Sequence, residues 1–219
     1  MTRETFGRHL RDLQNEMLVL GSMVQKAILR AVETLVSRDF EAAEQVIRDD
    51  VRINERRFQI EESCVTLIAT QQPMAGDLRT ILSALSIVTD LERMGDYASG
   101  IAEITLLLRN ELPIEVPSEI SRMADIGTEM LSQSLKAFAD RDAEAARAVA
   151  ERDDEIDALY HKLLQGCLAS MSRDAKTAPI VTRLIWVGHN LERIGDRATN
   201  ICERVIFAVT GRMVEINGP

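Results

Sequence analysis

Apolar residues recur every three or four positions along most of this chain, which is the spacing of helices that bury one face. The first such run covers about residues 6–36 and contains no proline. A second run begins after Asp39, whose side chain can cap a helix, and ends before Gln71. A third extends from near Gly76 to about Asn110. The pattern therefore predicts three long helices in the first half of the chain.

The same pattern restarts after a segment that contains Pro113 and Pro117, two residues that cannot continue a helix. Ser118 is the expected capping residue of the helix that follows. The helices predicted for this second half run from Ser118 to about Phe138, from Asp142 to Met171, and from the end of the loop 172–179 past Val205.

Two sets of identities show that the halves are copies of one unit. The hexapeptide LERMGD at residues 91–96 returns as LERIGD at residues 191–196, and eight of the 13 positions in 91–103 and 191–203 are identical. The second helices also match, at an offset of 103 residues, from Asp39 with Asp142 to Cys64 with Cys167. Because short connections make neighbouring helices antiparallel, the sequence predicts an all-α fold. It would consist of two tandem three-helix bundles, residues 1–112 and 113–219, related by a pseudo-twofold axis.

Composition narrows the possible functions. Of the 219 residues, 28% are charged and the formal net charge is −9. Binding to nucleic acid or to an anionic membrane needs clustered Lys and Arg, so this balance argues against both and favours a hard cation or a basic partner surface. The three cysteines are an odd number without CxxC spacing, which indicates free thiols. No signal peptide or membrane span is recognisable, so we expect a cytoplasmic protein without membrane insertion.

The duplicated hexapeptide carries the residues with the clearest chemistry. Glu92 and Asp96 are separated by one helical turn, and Glu103 falls within about 40° of them around a helix. We therefore expect an acidic stripe on the third helix. The second copy repeats this stripe with Glu192, Asp196 and Glu203.

Each hexapeptide also contains a glycine, Gly95 or Gly195, in the middle of a predicted helix. Glycine costs a helix about 1 kcal/mol relative to alanine. Making this choice twice indicates that the site uses it, since glycine lets another backbone or a bound ion come close.

A second pair of polar residues lies on each middle helix, at positions i and i+4. Asp153 and Asp157 form the pair in the second half, and Asp50 and Asn54 occupy the matching positions in the first. If these pairs face the acidic stripes, each bundle offers three or four oxygen ligands, which suit a hard cation. Since Asn54 is neutral, we expect the first cluster to be the weaker site. The predicted metal ligands are Glu92, Asp96, Glu192, Asp196, Asp153, Asp157, Asp50 and Asn54, with Arg93 and Arg193 orienting the carboxylates.

Two other interpretations of the same residues stay open. The stripes can be solvated charged faces of a purely structural adaptor, neutralised by Arg93 and Arg193. The chain can also be a carboxylate-bridged metal (iron) oxidase or a metal store built on a helical bundle. The order His189-x-x-Glu192 is the reverse of the Glu-x-x-His motif of such proteins, which counts against this alternative. No P-loop, dinucleotide-binding turn or nucleophile elbow is present.

With these residues the sequence resembles the PhoU family of bacterial phosphate-signalling proteins. The resemblance rests on residues 91–96 and 191–196, on Asp153 and Asp157, and on Gln72-Pro73 followed by Asp77-Leu78-Arg79. It spans essentially the whole chain. The one departure is Asn54, which stands where the family pattern has a carboxylate.

The resemblance implies a negative regulator rather than an enzyme. Such proteins link a phosphate ABC transporter and its ATPase to a sensor histidine kinase, and repress the phosphate-starvation response when phosphate is plentiful. The family also implies metal ions at the acidic motifs, with iron, zinc, nickel, manganese and magnesium as candidates, and a homodimer.

Overall fold

A computed structural model describes residues 3–113 and 115–216 of the chain, and within these ranges the protein is helical and contains no strand. The first half consists of α1 (Arg3–Ser37), α2 (Phe40–Gln71) and α3 (Gly76–Leu107). The second half consists of α4 (Ser118–Asp140), α5 (Ala143–Ala150), α6 (Asp153–Arg173) and α7 (Ala178–Thr210), with a short 3₁₀ helix (Ala175–Thr177) before α7. The predicted all-α class is confirmed. The predicted domain boundary falls in the segment between α3 and α4.

Two aspartates begin the middle helices of the two halves in the same way. The Asp39 side chain accepts a hydrogen bond of 2.9 Å from the amide of Ala42. Asp142 accepts hydrogen bonds from the amides of Glu144 and Ala145, at 3.0 and 2.9 Å. These bonds satisfy amides that have no partner inside the helix. The prediction for Ser118 was wrong, because α4 begins at Ser118 itself and no side chain caps it.

The second half departs from the prediction of one continuous middle helix from Asp142 to Met171. Glu151 and Arg152 separate α5 from α6, although both keep right-handed helical backbone angles. The amide of Arg152 bonds to the carbonyl of Val149, three residues back, instead of four. The guanidinium of Arg152 meanwhile forms ion pairs with Glu129 and Glu155, at 3.0 and 3.1 Å. A local tightening of the helix therefore divides this element, without a proline or glycine.

The buried residues follow the helical period of the sequence. On α3, Leu91, Met94, Ala98 and Ile101 are completely buried. The three cysteines are also buried and form no disulfide. Burial raises the pKa of the Cys64 thiol to about 12, so these thiols stay protonated and act as small apolar side chains. None of the helices in the described ranges is long and apolar enough to cross a membrane.

The halves meet where α3 and α7 run antiparallel to each other. The Ser83 hydroxyl donates to the carbonyl of Arg204 at 3.0 Å near the start of α3. At the other end, the Arg183 guanidinium donates to the carbonyl of Leu107 at 2.8 Å. Between these contacts lies a buried ion pair of Arg197 with Asp90. Since the two hexapeptides lie on α3 and α7, this contact positions the candidate sites.

Candidate metal centres

The first acidic cluster forms where α2 crosses the glycine of α3. A Cβ atom on Gly95 would lie 3.1 Å from Asp50 Oδ1 and 3.1 Å from Ile53 Cδ1. The glycine was expected to admit a backbone or an ion, but it admits side chains of α2. Asp50 consequently lies beside the hexapeptide, close enough for the charges of Glu92 and Asp96 to act on it.

Two carboxyl groups of this cluster, those of Asp50 and Asp96, resist ionisation. Burial raises the pKa of Asp50 to about 6, and repulsion from Asp96 and Glu92 adds to the effect. Burial and repulsion from Glu92 also raise the pKa of Asp96. Asp50 Oδ2 accepts a 3.3 Å hydrogen bond from the Asn54 amide, whereas Oδ1 is buried without a hydrogen-bond partner among the described residues. A cation beside Asp50 would relieve both the repulsion and the unsatisfied oxygen.

Sequence reasoning missed Arg57, which supplies a positive charge to this cluster. Its guanidinium forms an ion pair with Glu92 at 2.7 Å and a second one with Glu61 at 2.8 Å. Arg57 follows Asp50 by seven residues and Asn54 by three, so its helical position was a usable signal. One carboxylate of the first cluster is therefore already neutralised by the chain itself.

The second cluster repeats this arrangement between α6 and α7, with a closer fit. A Cβ atom on Gly195 would lie 2.6 Å from Asp153 Oδ1 and 2.8 Å from Ile156 Cδ1. Asp153 is 5% exposed, so its carboxylate is enclosed between the two helices. Asp157 follows one turn later and is exposed.

The other two acids of the second cluster, Glu192 and Asp196, are also hard to ionise. Burial raises the pKa of Glu192, and repulsion from Asp196 and Asp157 adds to this. Burial likewise raises the pKa of Asp196, although Arg193 opposes the shift. Glu192 Oε2 is buried and accepts no hydrogen bond among the described residues, with His189 Nδ1 3.4 Å away.

The two arginines of the hexapeptides behave differently. Arg193 Nη1 lies 3.2 Å from Asp196 Oδ2, and Tyr97 of the other half is close enough to raise the pKa of Arg193. This geometry suits the predicted orienting role. Arg93 is exposed and acts on Asp96 through its charge, which lowers the pKa of that carboxyl against the stronger effect of burial.

The expected acidic stripes do not extend to their third members. Glu203 is 9% exposed, and its carboxylate accepts a 2.8 Å hydrogen bond from the amide of Ile216. It therefore anchors the segment after α7 instead of joining the second cluster. Glu103 is exposed on α3. Eleven residues correspond to about 16 Å along a helix, which is too far for shared coordination with Glu92 or Glu192.

Within residues 3–113 and 115–216, no three or more His, Cys, Asp or Glu side chains come together in a group that could hold a metal ion. Metal binding stays a prediction. Its support is the donor chemistry: carboxylates with raised pKa values, and the unsatisfied oxygens of Asp50 and Glu192. The side chains that would turn towards an ion are Asp153, Asp157, Glu192 and Asp196 in the second cluster, and Asp50, Asn54, Glu92 and Asp96 in the first.

Sequence reasoning also missed the buried ion pair between the halves. Arg197 Nη1 lies 3.3 Å from Asp90 Oδ1, and the two side chains are 13% and 12% exposed. Burial raises the pKa of Asp90, while Arg197 and Asn200 oppose the shift. Arg197 follows Asp196 directly in the chain and also acts on its charge. The contact between α3 and α7 is therefore coupled to the second cluster.

Known proteins resemble this chain in both of its halves. The sequence profile of the PhoU domain matches residues 17–105 and again residues 120–205. A phosphate-specific transport system accessory protein PhoU homolog from Clostridium acetobutylicum is 39% identical over 218 residues, which cover 99% of this chain and 100% of that protein. The crystal structure of the phosphate transport system regulatory protein PhoU from Streptococcus pneumoniae superimposes with a TM-score of 0.89 at 34% identity, covering 96% of this chain and 100% of that one. The crystal structure of PhoU from Pseudomonas aeruginosa gives 0.88 at 37% identity, covering 94% and 100%.

Proposed function

Because the chain belongs to the PhoU family, we propose that it is an accessory regulator of a phosphate-specific transport system. It acts by contact with other proteins and not as an enzyme. In this role it is a cytoplasmic homodimer that restrains phosphate uptake and represses the phosphate-starvation response when phosphate is plentiful. Its partners are the ATPase of the phosphate ABC transporter and a sensor histidine kinase.

The observation that carries this proposal is the duplicated pairing of an aspartate with the hexapeptide glycine. Asp50 packs against Gly95, and Asp153 packs against Gly195. The pairing occurs in a chain that is 39% identical to a protein named for phosphate-specific transport. The glycine of each hexapeptide thus makes room for an aspartate of the neighbouring helix.

We further propose that the second cluster is the principal metal site. It offers four carboxylates, Asp153, Asp157, Glu192 and Asp196, whereas the first offers three together with the neutral Asn54. In the first cluster Arg57 already pairs with Glu92. An ion bound at the second cluster would supply positive charge that offsets the repulsion among its acids. The candidate ions are iron, zinc, nickel, manganese and magnesium.

Such an ion would also bear on the contact between the halves. Asp196 lies next to Arg197, which forms the buried ion pair with Asp90 of α3. A cation there would reduce the negative charge beside Arg197 and so change the electrostatic environment of the ion pair between Arg197 and Asp90. Metal loading is therefore expected to change the stability of the α3–α7 contact.

The proposed role is tested by deleting the gene that encodes this chain and measuring alkaline phosphatase activity and phosphate uptake in phosphate-rich medium. The deletion should raise both, and the wild-type chain should restore repression. A chain with Glu192→Gln and Asp196→Asn should restore less repression than the matched chain with Glu92→Gln and Asp96→Asn. If deletion leaves phosphatase and uptake unchanged, the regulatory role is wrong.

A further inference from the structure

An exposed aromatic group lies beside the second acidic cluster. Trp186, the single tryptophan of the chain, is 57% exposed on α7. Its ring meets that of His189 edge-on, with 6.0 Å between the centroids. Tyr160 of α6 is the third ring, 6.4 Å from His189. Exposed tryptophan and tyrosine are frequent anchors of protein interfaces.

These rings form one surface with Glu192. His189 Nδ1 lies 3.4 Å from Glu192 Oε2, and the negative charge of Glu192 is close enough to raise the pKa of Tyr160, after the larger effect of burial. We call Trp186, His189, Tyr160 and Glu192 the aromatic–acidic surface. It combines ring faces with the carboxylate of Glu192, whose side chain is 24% exposed. The Oε2 atom of this carboxylate is buried and accepts no hydrogen bond among the described residues.

In the first half, the equivalent carboxylate already has an arginine partner. The residue equivalent to Glu192 is Glu92, and it forms a 2.7 Å ion pair with the guanidinium of Arg57. At the offset of 103 residues that relates the middle helices, Arg57 corresponds to Tyr160. The second half has therefore replaced the internal arginine by a tyrosine. At the positions equivalent to Trp186 and His189, the first half has Ser86 and Thr89.

We propose that the aromatic–acidic surface binds an arginine side chain of a partner protein, which takes the place that Arg57 fills in the first half. This inference rests on the proposed function, since it names the recognition chemistry of the same site. The guanidinium would pair with the carboxylate of Glu192, which is partly exposed, and lie against the Trp186 ring. A carboxylate has two oxygens, so Glu192 can pair with the guanidinium through one of them and still belong to the metal cluster with Asp153, Asp157 and Asp196 through the other.

Three physical arguments favour arginine on a protein over other occupants. A planar guanidinium pairs with a carboxylate and stacks on an aromatic ring at the same time, whereas an ammonium group does not. The four carboxylates of the second cluster and the net charge of −9 attract a basic segment. The same charges repel anionic lipid headgroups and nucleic acid phosphates.

Trp186 fluorescence tests this binding directly, because no other tryptophan contributes to the signal. The probe is an end-capped peptide with two arginines between glycines, added to the full-length protein at low salt with a chelator present. The arginine peptide should change the emission saturably and bind about fivefold or more tightly than the matched lysine peptide. A glutamate peptide and vesicles containing phosphatidylserine should leave the emission unchanged. Equal binding of the lysine peptide, or a response to the vesicles alone, would overturn the proposal.

Variants distinguish binding at the aromatic–acidic surface from non-specific attraction to acidic residues. Binding of a fluorescently labelled arginine peptide is followed by anisotropy, which does not need the tryptophan. Trp186→Ser copies the first half and should weaken binding about fivefold or more, while the control Leu168→Ser, at another exposed apolar residue of α6, should leave it unchanged. Tyr160→Arg restores the internal guanidinium and should abolish binding. The proposal fails if Trp186→Ser and Tyr160→Arg both bind as the wild type does.

The peptide-binding test and the gene-deletion test can fail independently of each other. If deletion of the gene raises phosphatase but the arginine peptide does not bind, the proposed surface is wrong and the regulatory role stands. If the peptide binds and the deletion has no effect, the surface exists but the regulatory role is wrong.

Discussion

Replacing Gly195 by alanine tests whether the glycine of the hexapeptide exists to admit the carboxylate of Asp153. The new methyl group would lie 2.6 Å from Asp153 Oδ1 and 2.8 Å from Ile156 Cδ1. Asp153 is 5% exposed and Ile156 is completely buried. Neither side chain can move away into solvent, so the helices must separate or the side chains must leave their preferred rotamers.

Two opposing effects set the magnitude. Alanine is better than glycine inside a helix by about 1 kcal/mol. Overpacking a closed interface costs about 1–3 kcal/mol. The net expectation for Gly195→Ala is a loss of roughly 0–2 kcal/mol in the free energy of unfolding.

Two further glycines provide a scale for this result. A Cβ atom on Gly95 would meet Asp50 and Ile53 at 3.1 Å, which needs a smaller adjustment, so the change for Gly95→Ala should stay within about 1 kcal/mol of zero. Gly166 in α6 is exposed and has no atom within 4 Å of its Cβ position. Gly166→Ala should therefore stabilise the protein by up to about 1 kcal/mol.

Urea unfolding followed by far-UV circular dichroism measures these differences, with a chelator present so that metal does not contribute. The predicted order of midpoints, from high to low, is Gly166→Ala, wild type, Gly95→Ala and Gly195→Ala, with Gly95→Ala close to the wild type. If Gly195→Ala is stabilised as much as Gly166→Ala, the hexapeptide glycine does not make room for Asp153 and the reasoning is refuted.

Three further predictions concern charge, and a fourth concerns oxygen chemistry. In chelator-treated protein, the stability that Asp50 contributes should fall as the pH rises from about 4 to 6. The reason is that its folded-state pKa of about 6 exceeds the ordinary 3.8, so the folded protein keeps the proton to higher pH than the unfolded chain does. The difference in urea midpoint between wild type and Asp50→Asn should therefore change over this range, and a constant difference contradicts the prediction. Asp90→Asn should lower the free energy of unfolding by about 3 kcal/mol or more, because it leaves Arg197 buried without its anion. Adding Arg197→Met to the same chain should recover part of this loss. Equal stability of wild type, single variant and double variant in thermal unfolding would refute the prediction. Arg57→Gln should raise the affinity of the first cluster for Mn²⁺ in calorimetry, because it frees Glu92, and an unchanged titration would mean that Arg57 does not block the site. An Fe²⁺-loaded sample should consume no more oxygen than a buffer control, whereas turnover in an oxygen electrode would favour the metal-oxidase alternative.

The features that depend on helical spacing were predictable from the sequence. The caps at Asp39 and Asp142 follow from local chain chemistry, since each aspartate bonds to amides two or three residues further on. The meeting of Asp50 with Glu92 and Asp96 follows from two helices that each present one polar face. Such relations repeat in both halves, so the duplication served as an internal check.

The features that depend on how helices rotate against each other were not predictable. Asp90 and Arg197 form their ion pair across the two halves, 107 residues apart, and periodicity does not give the angle between α3 and α7. Glu203 matches Glu103 in the repeat, yet it is buried by its bond to Ile216 while Glu103 is exposed. The segment after α7 makes this difference, and the first half has no equivalent contact with Glu103 among the described residues.

The difference between the halves came from side chains that sequence reasoning did not connect. Asn54 was expected to weaken the first cluster by its neutral charge. Arg57 adds a stronger reason, since it already pairs with Glu92. Tyr160 stands at the matching position of the second half, where Glu192 has no guanidinium partner among the described residues. Two differences between the repeats, Asn54 for Asp157 and Arg57 for Tyr160, thus leave the second cluster more negatively charged than the first.

Metal content measured in matched variants tests this asymmetry most directly. Wild type, the Glu92→Gln/Asp96→Asn variant and the Glu192→Gln/Asp196→Asn variant are dialysed in turn against Fe²⁺, Zn²⁺, Ni²⁺, Mn²⁺ and Mg²⁺, and bound metal is determined by elemental analysis. The account predicts that wild type and the first-cluster variant retain metal and that the second-cluster variant loses most of it. Equal retention by the second-cluster variant, or a wild-type protein that binds none of the five ions, would contradict it.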